Sequence, residues 1–544
     1  MRGRTRTMAA VAVTSLALLA SACSTPTTTP GTGATGEAAA GGEITIRGCT
    51  PQNPLVPGNT SEVCGGNVLD AVLAKLVHYN PDTAAPEMDI AQSIDTTDNQ
   101  TFTVKLNPGY KFHDGTDVKA KNFVDAWNYA AYFPNGQGQS YFFSIVEGYD
   151  DLQPTDDAQK ETPKSKEMTG LKVVDDTTFT IKTTSPVSNL PVRLGYTAFA
   201  PLPDSFFNDP EAYAKKPVGA GPFQVESISD TAMVLSKFAD YSGKSKPSID
   251  KVTFKIYNDA NAAYNEVVAN QLDFTDLIPP DQLVGDAWKT DLDGRNENAE
   301  TGIIQTLTYS PNDPQLKDNA DLKKAISMAI DRDTIVKQIF QGTRVPATGW
   351  VSPVVDGYKA DVCGASCKFD AAAAKALFEK AGGYDGQLVL GVNQDGGHKP
   401  WADAACNSIK NTLGVDCIVQ QTPDFKTLLD QIEAGERKGV FRTGWQMDYP
   451  SIENFLAPLY GKGADSNYAK YDNPEFDAKL AAAAAAPADQ ANVLYQEAEA
   501  MLTADFPVAP MWYAATPVGW SNRVTNVKVT PFSTLDLASI QVKQ

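Results

Sequence analysis

Histidine is nearly missing from this chain. There are three in 544 residues, His78, His113 and His398, each standing alone. A His-based triad or an imidazole metal centre has almost nothing to draw on. No G-x-S-x-G elbow and no H-E-x-x-H pair occurs either, which removes the commonest signatures of an exported hydrolase. Basic residues are outnumbered, 46 Lys and Arg against 66 Asp and Glu, for a formal charge of −20. That balance argues against nucleic acid as a partner, because phosphate binding relies on Lys and Arg. Beyond residue 22 no apolar run is long enough to cross a membrane. The chain has no internal repeat and no long interior linker. "YSGKS" at 241–245 imitates the end of a P-loop, but Phe238 stands where the first Gly belongs, so it reads as a surface turn.

What is present describes a globular protein of two to four domains, 42% hydrophobic and 21% charged. Residues 1–22 are different: Arg2, Arg4 and Arg6, then the short apolar stretch Met8–Ala22, the pattern of a secretory signal peptide. It ends in "LLASACS", which resembles the lipobox of bacterial lipoproteins and implies a lipidated Cys23 anchored in the bilayer on the extracytoplasmic face of the cell membrane. A plain signal peptide with an incidental Cys is the alternative. Residues 23–42, rich in Thr, Pro, Gly and Ala, read as a flexible tether. The remaining cysteines are six, an even number in an exported chain, which suggests disulfides. Proximity favours Cys49–Cys64, Cys363–Cys367 and Cys406–Cys417, although other connectivities stay open. A zinc site at Cys363 and Cys367 would need further ligands that the adjacent sequence does not supply.

Helices and strands alternate throughout the body. "EITIR" (43–47) opens as a strand, and "TFTVKL" (101–106) places Phe102, Val104 and Leu106 on one face. An Asp-Gly turn follows at 114–115, then a helix with Phe123 and Trp127 on one side. "LKKAISMAIDRDTIVKQIFQG" divides into two helices, the second capped by Asp331 and ended by Gly342. "FDAAAAKALFEKAGG" repeats that design with Asp370 and Gly382. From about 387 to 446 the pattern is βαβαβ, hence a parallel or mixed sheet with ligands expected at its C-terminal edge.

Several segments resemble the extracytoplasmic solute-binding proteins of ABC importers, family 5, the oligopeptide- and dipeptide-binding type. They are "TFTVKLNPGYKFHDGTDVKAKNFVDAW" (101–127), "VGAGPFQV" (218–225), "LKKAISMAIDRDTIV" (322–336) and "GWQMDYPSIENF" (444–455), in family order over roughly residues 43–540. Ala220 departs from the family's usual Thr, and Lys119 stands where a helix-capping Thr or Ser is common. The resemblance implies an α/β, two-lobed periplasmic-binding-protein-like fold (type II, Venus flytrap) with an extra small domain inserted in lobe one. Lobe one would be 43–78, 203–300 and 516–544, the insert 79–202, and lobe two 301–515. It also implies a monomer that holds short peptides for ABC permease subunits, with no catalytic residues, no cofactor and no metal.

Asp448 sits among large aromatics, where a carboxylate needs a cation. The resemblance implies that this cation is the ligand's α-ammonium, with Trp445 and Tyr449 as pocket wall. It implies Arg442 for the ligand carboxylate, and His398 and Tyr141 as further contacts. The competing readings are an internal ion pair for Asp448 and Arg442, a core role for Trp445, and no ligand role for His398 or Tyr141. At the level of function, the rivals are the same fold carrying an opine, sugar, haem or metal chelate, a lipoprotein sensor, and an exported hydrolase.

Overall fold

Two long antiparallel strands, Asn296–Tyr309 and Val508–Trp520, form the spine of the molecule. The structure is a computed structural model that describes residues 41–60, 62–154, 163–394, 396–423, 425–464 and 466–543. The signal peptide, Cys23 and most of the expected tether lie outside the described residues.

The spine belongs to an eleven-stranded mixed sheet that serves both lobes. On the lobe-two side, Ile303–Tyr309 pairs with Val440–Gln446, which continues into Gln387–Asn393 and Asp416–Thr422. Those last three strands are mutually parallel, joined by the helices Lys399–Leu413 and Phe425–Glu433, so the βαβαβ reading holds. On the lobe-one side, Gly519 and Trp520 pair with Phe274–Thr275. Next come Glu43–Gly48, Lys251–Ile256, Ala232–Lys237 and Phe223–Ile228. Between the lobes the spine loses register from Glu300 to Ile304 and again from Gln305 to Thr306. A break of this kind bends a strand pair locally.

Each body has its own apolar core. Trp350, Trp401, Phe455 and Trp512 anchor lobe two. Ile44, Ile46, Phe223 and Phe254 anchor lobe one. The inserted domain packs a four-stranded antiparallel sheet, which includes Thr101–Leu106, against the helix Ala120–Ala131. Phe123 and Trp127 lie one turn apart on that helix, ring centroids 6.2 Å apart, and both are fully buried. Trp127 Nε1 donates to the carbonyl of Phe199 at 3.1 Å, so its one polar group is satisfied. Lys119 offers no acceptor to the first turn of the helix; instead Asn122 reaches back and accepts the Lys119 amide at 2.8 Å.

The sequence signals for helix ends act as expected. Asp331 accepts from Thr334 N at 3.0 Å, and Asp370 from Ala373 N at 2.9 Å. Gly382 adopts φ +93°, the left-handed conformation that ends the helix Ala371–Lys380. Cys49 is bridged to Cys64, Cys363 to Cys367 and Cys406 to Cys417. Among the described residues no helix is long and apolar enough to cross a membrane.

Candidate ligand-binding site

The strand Val440–Gln446 runs along the spine and ends at the cleft, so the next residues, Met447 and Asp448, are delivered to its wall. A cavity of about 610 Å3 opens there. Asp448, Tyr79, Tyr196 and Phe532 are among its walls, with Asp70, His78 and Asp89. Phe532 stacks on Tyr79 at 5.1 Å and also packs against the lobe-two core, so this wall is built from distant parts of the chain.

Asp448 is held by one residue, Asn454. The Asn454 side-chain amide donates to Asp448 Oδ2 at 3.0 Å, while its oxygen accepts both the Asp448 backbone N–H at 2.9 Å and Trp445 Nε1 at 3.0 Å. Asn454 is itself 1% exposed. A buried amide with both ends engaged fixes the carboxylate in direction. Burial pushes the Asp448 carboxyl up to about 6; the Asn454 hydrogen bond and the Arg193 charge oppose that rise, and the Glu453 charge adds to it. Among the described residues no Lys or Arg forms an ion pair with Asp448.

Tyr449 points the other way. Its ring joins the core of the inserted domain, and its hydroxyl donates to Glu453 Oε2 at 2.8 Å. Trp445 packs on the lobe-two core with its N–H given to Asn454, so it stands behind Asp448 and supports it. Arg442 lies on the same strand face as Gln446, which lines the cavity, and its guanidinium rests over the Phe425 ring at 4.7 Å. Next to it in charge is Arg344, whose pKa falls to about 10 through burial and the repulsion of Arg442. His398 precedes the helix Lys399–Leu413 and accepts from Trp401 Nε1 at 3.1 Å through Nδ1. Tyr141 is 53% exposed and stacks on Phe142, which in turn packs on Tyr196. The Asp448 charge raises the pKa of Tyr141 further, after desolvation, so the two share one electrostatic neighbourhood.

Sequence reasoning missed Asn454, Arg193, Glu453, Tyr79, Tyr196 and Phe532. Asn454 and Glu453 lie within the quoted segment 444–455 and were within reach. The others are joined to the site only by the fold.

Two lobes about a bent spine, with a polar-tipped aromatic cleft between them, make the architecture of a solute-binding protein. The chain belongs to the bacterial extracellular solute-binding proteins, family 5, whose family profile matches residues 85–467. It is 25% identical over 509 residues to the oligopeptide-binding protein OppA of Bacillus subtilis, covering 89% of this chain and 90% of that protein. It is 27% identical over 440 residues to the periplasmic murein peptide-binding protein MppA of Escherichia coli, covering 78% and 79%. Among solved structures, the unliganded open form of MppA superposes with a TM-score of 0.78 at 22% identity, covering 94% of this chain and 99% of that one. Haemophilus influenzae OppA in complex with RPPGFSPFR superposes at 0.69 and 24%, covering 93% and 100%.

Proposed function

We propose that this protein captures short peptides outside the membrane and delivers them to an ABC importer. The Asp448 carboxylate takes the peptide's α-ammonium. The observation that carries this reading is a largely desolvated acid on the cavity wall, held in place by Asn454 and in ion-pair contact with no Lys or Arg among the described residues. Such a group gains from any cation that enters, and a charge-assisted hydrogen bond contributes about 1.5–3 kcal/mol. The similarity to oligopeptide-binding relatives supports a peptide as the bearer of that ammonium.

Arg442 is the proposed partner of the peptide carboxylate, with His398 and Tyr141 as outlying contacts. Arg442 and Asp448 are six positions apart on a segment that is strand as far as Gln446, a span of at most about 20 Å that the guanidinium's own reach shortens. An extended ligand of roughly three to five residues suits that gap. In this reading the chain is a monomer tethered through a lipidated Cys23. Its lobe one comprises 43–78, 203–300 and 516–544, with 79–202 inserted and 301–515 as lobe two. Closure about the bent spine then seals the peptide before transfer to the permease.

Calorimetric titration of Asp448→Asn with trialanine tests the anchor. The variant should bind at least about tenfold more weakly, about 1.4 kcal/mol, with little change in Tm. Equal affinity for both proteins removes Asp448 from the role. Mass spectrometry of what co-purifies with the folded protein tests the cargo, and a single non-peptide species there would overturn it.

A further inference from the structure

One internal cation does act on Asp448, and it is Arg193; each lies in the other's field. Arg193 ends the short helix Leu190–Arg193 of the inserted domain, and its charge is already spoken for. Its Nη2 meets Glu453 Oε1 at 3.1 Å, and Nε donates to Asn189 Oδ1 at 3.0 Å. The guanidinium also lies over the Tyr449 ring at 5.1 Å. Glu453 is just as fully engaged: Oε2 accepts from Asn189 Nδ2 at 2.7 Å and from the Tyr449 hydroxyl at 2.8 Å. The two side chains are only 17% and 7% exposed.

We propose that Glu453 is a guard residue: by occupying Arg193 it keeps Asp448 available for the ligand's ammonium. The inference rests on the reading of Asp448 as the amine anchor. A buried guanidinium that loses its carboxylate is strongly unfavourable and takes the next one within reach. Here the next acid is Asp448, five residues further back on the same segment. The charged groups facing Asp448 are Glu453 from its own segment and Arg193 from the inserted domain. Tyr449, Tyr79, Tyr141 and Tyr196 also feel its charge, and all four are held neutral by raised pKa values. Within this cluster two acids and one cation leave a net charge of one negative unit, which matches one ammonium. Remove Glu453 and that charge disappears into an internal Arg193–Asp448 pair. Glu453 is therefore a positioning residue that never needs to touch the ligand.

Glu453→Gln keeps the shape and the neutral hydrogen bonds while removing the charge. Trialanine titrated against it at pH 7.5 should bind at least tenfold more weakly than against the unaltered protein. The double variant Arg193→Met/Glu453→Gln should recover to within about threefold, because no cation is left to take Asp448. A pair that merely braces the fold predicts the reverse order, with the double variant as weak as the single or weaker; that result overturns the guard, as does unchanged binding by Glu453→Gln. A ligand-free crystal structure of Glu453→Gln decides the matter independently of cargo. Arg193 should be found hydrogen-bonded to Asp448, and an unmoved guanidinium refutes the proposal. If the unaltered protein takes no peptide, the cleft reading fails while that structure still judges the guard.

Discussion

Met447 donates its backbone N–H to the carbonyl of Gly302 at 2.9 Å, and so ties the residue before Asp448 to the irregular stretch of the interlobe spine. Gly302 in turn donates to the carbonyl of Pro531, next to Phe532 of the cavity wall. Bending of the spine and placement of the site are thus one hydrogen-bonded unit.

Gly302 is glycine because of crowding, not conformation. A Cβ at this position would overlap the Met447 side chain, starting with Sδ. Gly302→Ala must push Met447 outward and carry Asp448 with it. Overpacking of this kind typically costs about 1–3 kcal/mol. Thermal denaturation should show a Tm lowered by several degrees, and titration with trialanine should show weaker binding than that loss alone explains. A variant that binds normally despite a lowered Tm would uncouple the spine from the site.

The pH dependence of binding follows from the Asp448 carboxyl at about 6. An incoming ammonium favours the ionised form, so affinity is full above that value and falls as pH drops through it. The peptide's own amine loses its proton near about 8, which sets the upper limit. Affinity should therefore peak between about 6 and about 8. Near pH 6, binding should release a fraction of a proton, visible as a buffer-dependent heat in calorimetry. Flat affinity from pH 7.5 down to 5 would mean that the acid receiving the ligand is not this one.

How much of this was legible beforehand depends on how local each signal is. Helix caps such as Asp331 and Asp370, and the one-sided pair Phe123 and Trp127, are written within a few residues, and the structure has them as read. The parallel order of 387–446 follows from the crossover helices alone. Asp448 was conspicuous because an acid among aromatics violates local patterning. What fixes it was harder to see. Asn454 is six residues away, but an Asn near a helix start reads as a cap before it reads as a clamp. Asn189 and Glu453 are 264 residues apart, and no periodicity joins them. The Tyr79–Phe532 stack is likewise a product of chain tracing. Pairs of that kind depend on which surfaces the folded lobes bring together, information that a linear pattern does not carry.

Glu499 offers a test of buried charge away from the cleft. It sits fully buried on the helix Ala488–Asp505, where Oε1 accepts the Trp350 backbone N–H at 2.9 Å. Oε2 has no hydrogen-bond partner among the described residues. Burial raises its pKa to about 7, against the opposing pull of the Trp350 and Val351 amides and of Lys359. A carboxyl whose folded pKa lies above its unfolded value binds its proton more tightly when folded. Its contribution to stability is therefore greatest at acid pH and declines as pH rises from about 4.5 to about 7. A shift of that size corresponds to on the order of 3 kcal/mol. Glu499→Gln keeps an oxygen for the Trp350 amide and removes the ionisation. Its Tm should match that of the unaltered protein at pH 4.5 and exceed it by several degrees at pH 8. A Tm lowered equally at both values would show instead that the ionised carboxylate, for all its burial, is worth more to the fold than a neutral amide.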